Sequence, residues 1–528
     1  MLAGHRFSDT VATYANQWIP IRPTTDTAML IAMAYVIVTE KLQDQKFLDK
    51  YTIGFDKFRD YVIGKGDGIP KTPAWAEAIT GVPEATIENL AREYATSKPA
   101  ALILSYGPGR SAYGEQYHRA GSTLAAMTGN IGLHGGYAAG DPYVGEAGIS
   151  WRPGAGLPIG KNPVEGENPP PAGLGSCGVR SPYRPHSTKV WDAILKGKAV
   201  GYPSDIKMLY IASRNILNQW PNLNKGIEAL KKLEFVVVHE LFMTPTAKFA
   251  DILLPVSAQP ERADIFRPWN WGAYFLHSSK AVEPLGECKS DFEICCELAP
   301  RLGISDYTDK TMDEWLRQGV KTIEDLTKES IDYDEVKKKG FYKIPISEPV
   351  IAFKEQIEDP QNNPFPTPSG KIEIYSQQLA DLHNPRIPPI PKYIEAWEEP
   401  GDPLARKYPL QLVTPHFKGR SHSSYDSIPW LRELEPQVVW INTTDARNRG
   451  IADGDEVGVF NDIGQIVVPA KVTQRIMPGV VCLYEGAWFA PDENGIDRGG
   501  CCNVLTKDER SPGGAFITNT CLIQVEKL

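Results

Sequence analysis

The chain carries no compact catalytic signature: no Walker A sequence, no H-E-x-x-H and no G-x-S-x-G occurs in its 528 residues. That excludes the ordinary P-loop enzymes, zincin proteases and α/β-hydrolases on local grounds. Metal-site spacing is lacking too. None of the eight cysteines forms a C-x-x-C, and the adjacent pairs Cys295-Cys296 and Cys501-Cys502 lack iron–sulfur or zinc spacing. All eight, Cys177, Cys288, Cys295, Cys296, Cys482, Cys501, Cys502 and Cys521, read as buried free thiols in a reducing compartment. No apolar run approaches the ~18 residues of a membrane span, so no direct membrane insertion is expected. The opening MLAGHRFSDT reads as neither a signal peptide nor a twin-arginine leader. Positive charge is also short. A net charge of −9 argues against a broad nucleic-acid or anionic-membrane surface, though not against a local basic pocket.

What is present is an ordinary globular composition, 42% hydrophobic and 23% charged, long enough for about three or four domains. The 46 glycines and 44 prolines promise many turns and long loops. A large chain without its own catalytic motif points to chemistry carried on a cofactor.

The first part alternates helices with one compact strand. Thr25–Lys41 reads as a helix capped by Thr25 or Asp26, with Met29, Leu30, Met33, Val36 and Ile37 on one face. Pro83–Thr96 is a second helix. Ala101–Leu104 is a strand leading through Gly107-Pro108-Gly109-Arg110 into a helix over Gly114–Met127, which is α/β grammar. Residues 138–186 are crowded with Gly and Pro and carry little periodicity, so they read as a cover or connector. Alternation resumes with strands at Met208–Ala212 and Phe235–His239 around a helix at Asn222–Leu233, and a short helix, Pro245–Ala250, then leads to Ile252-Leu253-Leu254-Pro255. Two of these strand ends carry polar residues side by side, the crevice where open α/β sheets bind ligands.

Residues 290–345 read as helical and more charged, and a Pro-rich linker spans Asn384–Pro403. The last part is β-rich. In Gln437–Val472, strand-like runs Val438–Ile441, Val457–Phe460 and Ile466–Val472 are separated by Gly450–Asp455 and Asn461–Gly464, which predicts a barrel or sandwich. The chain divides into 1–137, an α/β domain; 138–204, the connector; 205–270, a second α/β domain; 271–403, mixed helix and connector; and 404–528, a β-barrel.

Asp, Asn, Thr, Ser and Arg recur at strand ends and glycine turns, which suits a long ligand with phosphates and a purine ring. A guanine presents adjacent N–H donors to a carboxylate. Thr25 and Asp26 stand at a helix start, where a plain N-cap is the competing role. Gly107 and Arg110 form either a simple turn or a phosphate nest. Ser213 and Asn215 follow one strand. Glu240 and Thr244 follow the next, where Glu240 is either a ligand contact or a solvated rim carboxylate. His416, Lys418, Arg420, His422 and Ser423 form a donor-dense loop suited to a diphosphate, or else a solvated loop. Glu485, Trp488 and Asn503 lie in glycine-flanked loops. Asn442 and Asp445 follow a strand, where they read as caps.

Taken together, nine segments in order resemble the catalytic subunit of the dimethyl sulfoxide reductase family of molybdopterin oxidoreductases, above all its anaerobic, membrane-anchored branch. They are WIPIRPTTD, GPGR, MTGNIGLHGG, ELFMTPTAKFADILLP, TPSGKIEIYS, HFKGRSHSSY, the Gln437–Val472 stretch, EGAW and GGCCNVLT. The resemblance implies an α/β fold class, doubly wound dinucleotide-binding domains plus a C-terminal double-psi β-barrel. It implies a bis-molybdopterin guanine dinucleotide with molybdenum, or tungsten. Asp26 would read one guanine and Glu240 would lie near the other. Ser213 and Asn215 would face a dinucleotide. His416, Arg420, His422 and Ser423 would hold pterin and diphosphate, and Asn503 would bond a pterin. Asn442 and Asp445 would become candidate dinucleotide contacts. The implied activity is two-electron reduction of an S-oxide or N-oxide with oxygen-atom transfer. Alternatives within the family are a selenate, nitrate, arsenate or polysulfide reductase, or a non-redox hydratase. An alternative outside catalysis is a truncated cofactor-binding scaffold.

Two departures stand out. Thr24 occupies a position where the family pattern has Gly. Nothing here matches the cysteine-rich iron–sulfur segment or the Ser, Cys, selenocysteine or Asp metal ligand of full-length members, so roughly the first third of such an enzyme is expected to lie outside this chain. The expected partners are an iron–sulfur electron-transfer subunit and a membrane-anchor subunit, with no nucleic acid. Either the bacterial cytoplasm or an exported, membrane-associated face remains open as location.

Overall fold

A computed structural model describes residues 2–139, 185–267 and 272–528. Most of the expected 138–204 connector, Cys177 included, lies outside the described residues. No described helix is long and apolar enough to cross a membrane.

The first lobe is built round α1 (Asp26–Thr39). The expected single apolar face is corrected by the structure: Ala28, Ile31, Ala32 and Ala34 are buried together with Met29, Leu30, Met33, Val36 and Ile37. An all-round apolar helix belongs inside a lobe. Alanines on the remaining faces let neighbours approach closely, and α1 is surrounded by helices Phe55–Val62 and Pro73–Thr80, α2 (Glu84–Thr96) and α3 (Glu115–Met127). Beside them, β1 (Ala101–Ile103) pairs in parallel with β2 (Tyr137–Ala139), and α3 is the crossover between them.

The second lobe holds a three-stranded parallel sheet in the order β3 (Met208–Ala212), β4 (Phe235–Glu240), β5 (Ile252–Pro255). The central β4 is buried along Val236–His239, as a strand covered on both faces must be. α4 (Leu223–Lys232) crosses from β3 to β4 and joins Leu223, Ala229 and Leu230 to Val236, Val238 and Trp191. A separate core at Ile265, Phe275, Val320, Ile323 and Tyr333 unites a small antiparallel sheet with helix α5 (Met312–Thr327).

The C-terminal part is a closed six-stranded barrel. Its strands are β6 (Leu410–Val413), β7 (Val439–Asn442), β8 (Glu456–Phe460), β9 (Gln465–Thr473), β10 (Val480–Leu483) and β11 (Leu522–Lys527), with order β6-β10-β7-β9-β8-β11. β11 pairs with both β8 and β6 and closes the ring. β6 runs parallel to β10, and β7 runs parallel to β9 but antiparallel to β10. The C-terminal ends of β6 and β10 therefore open on one barrel face, and that of β7 on the other. Barrel and second lobe share one apolar core, from Trp191 and Val238 to Leu412, Val459 and Ile523.

The thiols divide. Cys482, Cys501, Cys502 and Cys521 are buried, with burial raising all four. The expectation of burial fails for Cys288, Cys295 and Cys296, which are half-exposed. The latter two lie on the helix Asp291–Arg301, of which only Ala299 is buried.

Candidate functional site

Parallel strands deliver their ends together, and three sets of ends meet here. At the end of β3, Ser213 turns the chain with a left-handed backbone, φ 57°. Asn215 follows and is buried. Its carbonyl accepts from the Thr246 hydroxyl at 2.7 Å, and its amide donates to Asn218 Oδ1 at 3.1 Å and to Ser423 Oγ at 3.2 Å. Asn218 donates to the Ala487 carbonyl at 2.6 Å, and Asn503 to the Trp220 carbonyl at 2.9 Å. Four side-chain amide and hydroxyl groups thus sew the strand ends of the second lobe to the barrel loops.

On the barrel side, His416 and His422 both aim Nδ1 at Glu485 Oε1, at 2.8 and 3.2 Å. Both imidazoles are exposed, whereas Glu485 is half-buried. The two imidazoles hold the Glu485 carboxyl down at about 2 against the opposing effect of burial, and Glu485 holds His422 above its usual value. Glu485 sits where β10 ends, and its N–H donates to the Pro415 carbonyl at 3.1 Å. The neighbouring Gly486 is required: its φ is 91°, and a Cβ would lie 1.9 Å from the His422 carbonyl oxygen. Trp488 Nε1 donates to the Ser423 carbonyl at 2.7 Å.

From the first lobe, the loop after β1 reaches the same barrel face. The carbonyl of Gly107 accepts from Asn519 Nδ2 at 3.2 Å and that of Arg110 from the Asn519 N–H at 3.0 Å, while Asn519 Oδ1 accepts from the Thr414 N–H at 3.0 Å, just beyond β6. The Arg110 side chain is exposed. Asp26 lies beside Tyr117, whose hydroxyl donates to the Leu104 carbonyl at the end of β1. Thr25 is at the helix N-cap but its hydroxyl donates back to the Arg22 carbonyl at 2.8 Å rather than serving as a side-chain cap.

Two carboxylates stand out. Burial raises Asp26 to about 6 and also raises Glu240. Glu240 accepts from the Leu241 N–H at 2.8 Å and weakly from the Thr244 hydroxyl at 3.4 Å. Neither carboxylate has a cationic partner among the described residues. A half-buried acceptor without a cation is costly alone and suited to paired N–H donors such as a purine edge presents.

Other expectations are redirected. Arg420 points into the barrel wall, where it pairs with buried Asp426 at 2.7 Å and donates to Gln437 Oε1 at 2.7 Å. Asp426 also accepts from the Trp488 N–H at 2.8 Å. The guanidinium therefore holds the His416–Ser424 loop in place, with only its buried Nε unpartnered. Asn442 and Asp445 lie at the opposite barrel end from Glu485, because β7 runs antiparallel to β10. Asn442 caps the short helix Thr443–Asn448 and donates to the Ile476 carbonyl; Asp445 accepts from the Gly479 N–H. Asn218, Thr246, Asp426 and Asn519 escaped sequence reading. Asn218 had a usable signal, lying three residues beyond Asn215. The other three are joined only by the fold. A cleft of about 450 Å³ adjoins this region, bordered by Arg420, Trp488, Lys248 and Arg432.

Donors on the barrel loops, cation-free carboxylates at the start of α1 and at the end of β4, and a glycine-shaped approach at Gly486 are a fit for an extended pterin nucleotide. Comparison with known proteins agrees. The molybdopterin oxidoreductase family model matches residues 1–301, and the molydopterin dinucleotide binding domain matches residues 410–518. The chain belongs to the molybdopterin oxidoreductase family; it is a molybdenum oxidoreductase with a molybdopterin cofactor. Among its relatives, dimethyl sulfoxide reductase DmsA of Escherichia coli is 40% identical over 99% of this chain and 67% of that protein. DmsA of Haemophilus influenzae is 36% identical over the same shares, and the trimethylamine-N-oxide reductase of that organism is 34% identical over 98% of this chain and 66% of its own length. The chain thus spans about two thirds of these relatives. Acetylene hydratase from Pelobacter acetylenicus shares the fold, with a TM-score of 0.74 at 22% identity over all of this chain and 73% of its own.

Proposed function

We propose that the chain is the cofactor-holding catalytic portion of a reductase that removes oxygen from an S-oxide or N-oxide, using a bis-molybdopterin guanine dinucleotide. The observation that carries this reading is the meeting of two α/β lobes at one barrel face, each with a half-buried, cation-free carboxylate, Asp26 at the start of α1 and Glu240 at the end of β4. In this reading Asp26 accepts from the N–H edge of one guanine and Glu240 from that of the other. Thr25, Gly107 and Arg110 line one dinucleotide; Ser213, Asn215 and Thr244 line the second. His416, His422, Ser423, Glu485, Trp488 and Asn503 face the pterins. Arg420 serves by shaping its loop, and Asn442 and Asp445 by fixing the far end of the barrel.

When bound, the group supplies two-electron chemistry with oxygen-atom transfer. The net change takes two electrons and two protons and turns an S-oxide into a sulfide and water. The chain's part is to bind, orient and screen the site from solvent. The relatives named for dimethyl sulfoxide and trimethylamine N-oxide favour this substrate class over selenate, nitrate, arsenate or polysulfide. An iron–sulfur electron-transfer subunit and a membrane-anchor subunit are the proposed partners, and an iron–sulfur cluster is assigned to sequence beyond this chain.

Metal and released-GMP analysis of the chain purified from a cofactor-producing anaerobic host is the first test. Two GMP per molybdenum is expected, with Asp26→Ala and Glu240→Ala each losing about half. A chain free of molybdenum, tungsten and GMP leaves the scaffold reading in its place. Viologen-linked turnover with the partner segments present then separates S-oxide from N-oxide and oxyanions.

A further inference from the structure

We propose that, in the cofactor-free chain, His416, His422 and Glu485 form a site for one divalent transition-metal cation of the zinc class. The cation would sit between the loops beyond β6 and β10 and give way when the cofactor enters; that second clause rests on the functional reading above.

The ligand set is the first ground. Two imidazoles and a carboxylate are a common three-residue zinc set that leaves coordination positions open. The two Nδ1 atoms lie 2.8 and 3.2 Å from the same Glu485 oxygen, and the three ligand atoms lie within 4.8 Å of one another. A zinc ion bonded at about 2.0–2.1 Å to each would set its ligand atoms roughly 3–3.5 Å apart. The side chains therefore need little rearrangement. Binding replaces two close Nδ1···Oε1 approaches by two Nδ1–metal bonds, with each neutral ring carrying its proton on Nε2, and gives the buried Glu485 Oε1, which has no hydrogen-bond partner among the described residues, a ligand.

Rigidity is the second ground. The His422 loop is held by contacts that do not involve the three ligands' tips. The Trp488 indole donates to the Ser423 carbonyl, the Asn215 amide to the Ser423 hydroxyl, and Ser421 and Ser424 exchange backbone bonds. His422 itself has a left-handed backbone, φ 52°, a conformation that costs free energy and persists only where the surroundings enforce it. Gly486 packs against its carbonyl with no room for a side chain.

Access and charge are the third. His416 and His422 are exposed, so a hydrated ion reaches them from solvent. No lysine or arginine pairs with Glu485 among the described residues; its only ionic neighbours are the two histidines.

Equilibrium dialysis of the full 528-residue chain against zinc chloride, after purification from a host lacking the pterin, tests the site. One zinc per chain is expected. His416→Ala, His422→Ala and Glu485→Gln should each weaken it roughly ten-fold or more, with an unchanged far-ultraviolet circular dichroism spectrum. His383→Ala, elsewhere on the surface, should not. X-ray absorption at the zinc edge should report two imidazole nitrogens. Absence of bound zinc, or three variants that bind as the parent does, overturns the site whatever the cofactor result. The same dialysis on pterin-loaded chain should find the zinc lost. Equal binding to loaded and empty chain overturns the shared occupancy, while cofactor-free chain that binds no zinc, from a protein that does take up molybdenum and GMP in a cofactor-producing host, overturns the zinc site and leaves the functional reading intact.

Discussion

Asn215 and Ser423 lie far apart in sequence yet share a 3.2 Å hydrogen bond, from a strand end of the second lobe to the barrel loop that carries His416 and His422. The bond belongs to a buried set in which Asn215 also serves Thr246 and Asn218.

Asn215→Ala should therefore cost more than one bond. It strips partners from a buried Thr246 hydroxyl and from Asn218, so a loss of about 2–3 kcal/mol is expected in urea unfolding. Ser423→Ala removes only one exchangeable partner and should cost about 1 kcal/mol or less. Equal losses for the two would show that the set is not coupled as described.

Asp26 gives a pH signature. Its folded-state value, about 6, lies above the unfolded carboxylate value of 3.8. The protonated form is favoured in the fold. That contribution is fully present below 3.8 and is lost as pH rises through about 6. Asp26→Asn should abolish the dependence, gaining up to about 2 kcal/mol on the parent between pH 5 and pH 7.5. Thermal melts at the two pH values check this. A parent and variant that shift in parallel would contradict it.

Arg420 and Asp426 form a buried pair with side chains 6% and 8% exposed. Asp426→Ala strands a buried guanidinium, and a loss of about 3–5 kcal/mol is expected. Arg420→Met combined with Asp426→Leu should recover most of it, since neither charge is then left alone. Denaturation midpoints of single and double variants decide the matter.

Thr24 carries a β-branched side chain at φ 72° and donates its hydroxyl to Glu399 at 2.6 Å. Burial raises Glu399, so the donor is needed. Thr24→Val keeps the backbone strain and removes the donor, and should cost about 1–3 kcal/mol. Thr24→Gly also loses the donor but relieves about 1–2 kcal/mol of left-handed strain, so it should be the milder of the two. The reverse order in thermal melts would mean that the strain is not stored there.

Much of this was legible in the sequence, and the reason is local. The strands at 208–212 and 235–240 read directly, the second to within one residue, because each is a short apolar run closed by polar residues. Thr24 drew notice as a non-glycine in a glycine position, and its positive φ supplies the physical reason. What could not be read depended on pairing between distant strands. Nothing local in Asn442 says that β7 runs antiparallel to β10 and carries it away from Glu485. Arg420 looked like a phosphate ligand because its buried partner, Asp426, acts through the folded loop and not through a recognisable motif. Likewise, α1 revealed its apolar stripe but not that alanines would let helices close round it.

Barrel closure by β11 has a consequence for synthesis. Of the six staves it leaves the ribosome last, yet it must lie between β6 and β8 to complete the ring. Until then β6 and β8 each keep an open edge, and the loops beyond β6 and β10 have no fixed register. The clamp can only be set after translation has passed β11. Loading thus waits on the emergence and pairing of β11, and until then the nascent chain exposes two adhesive edges.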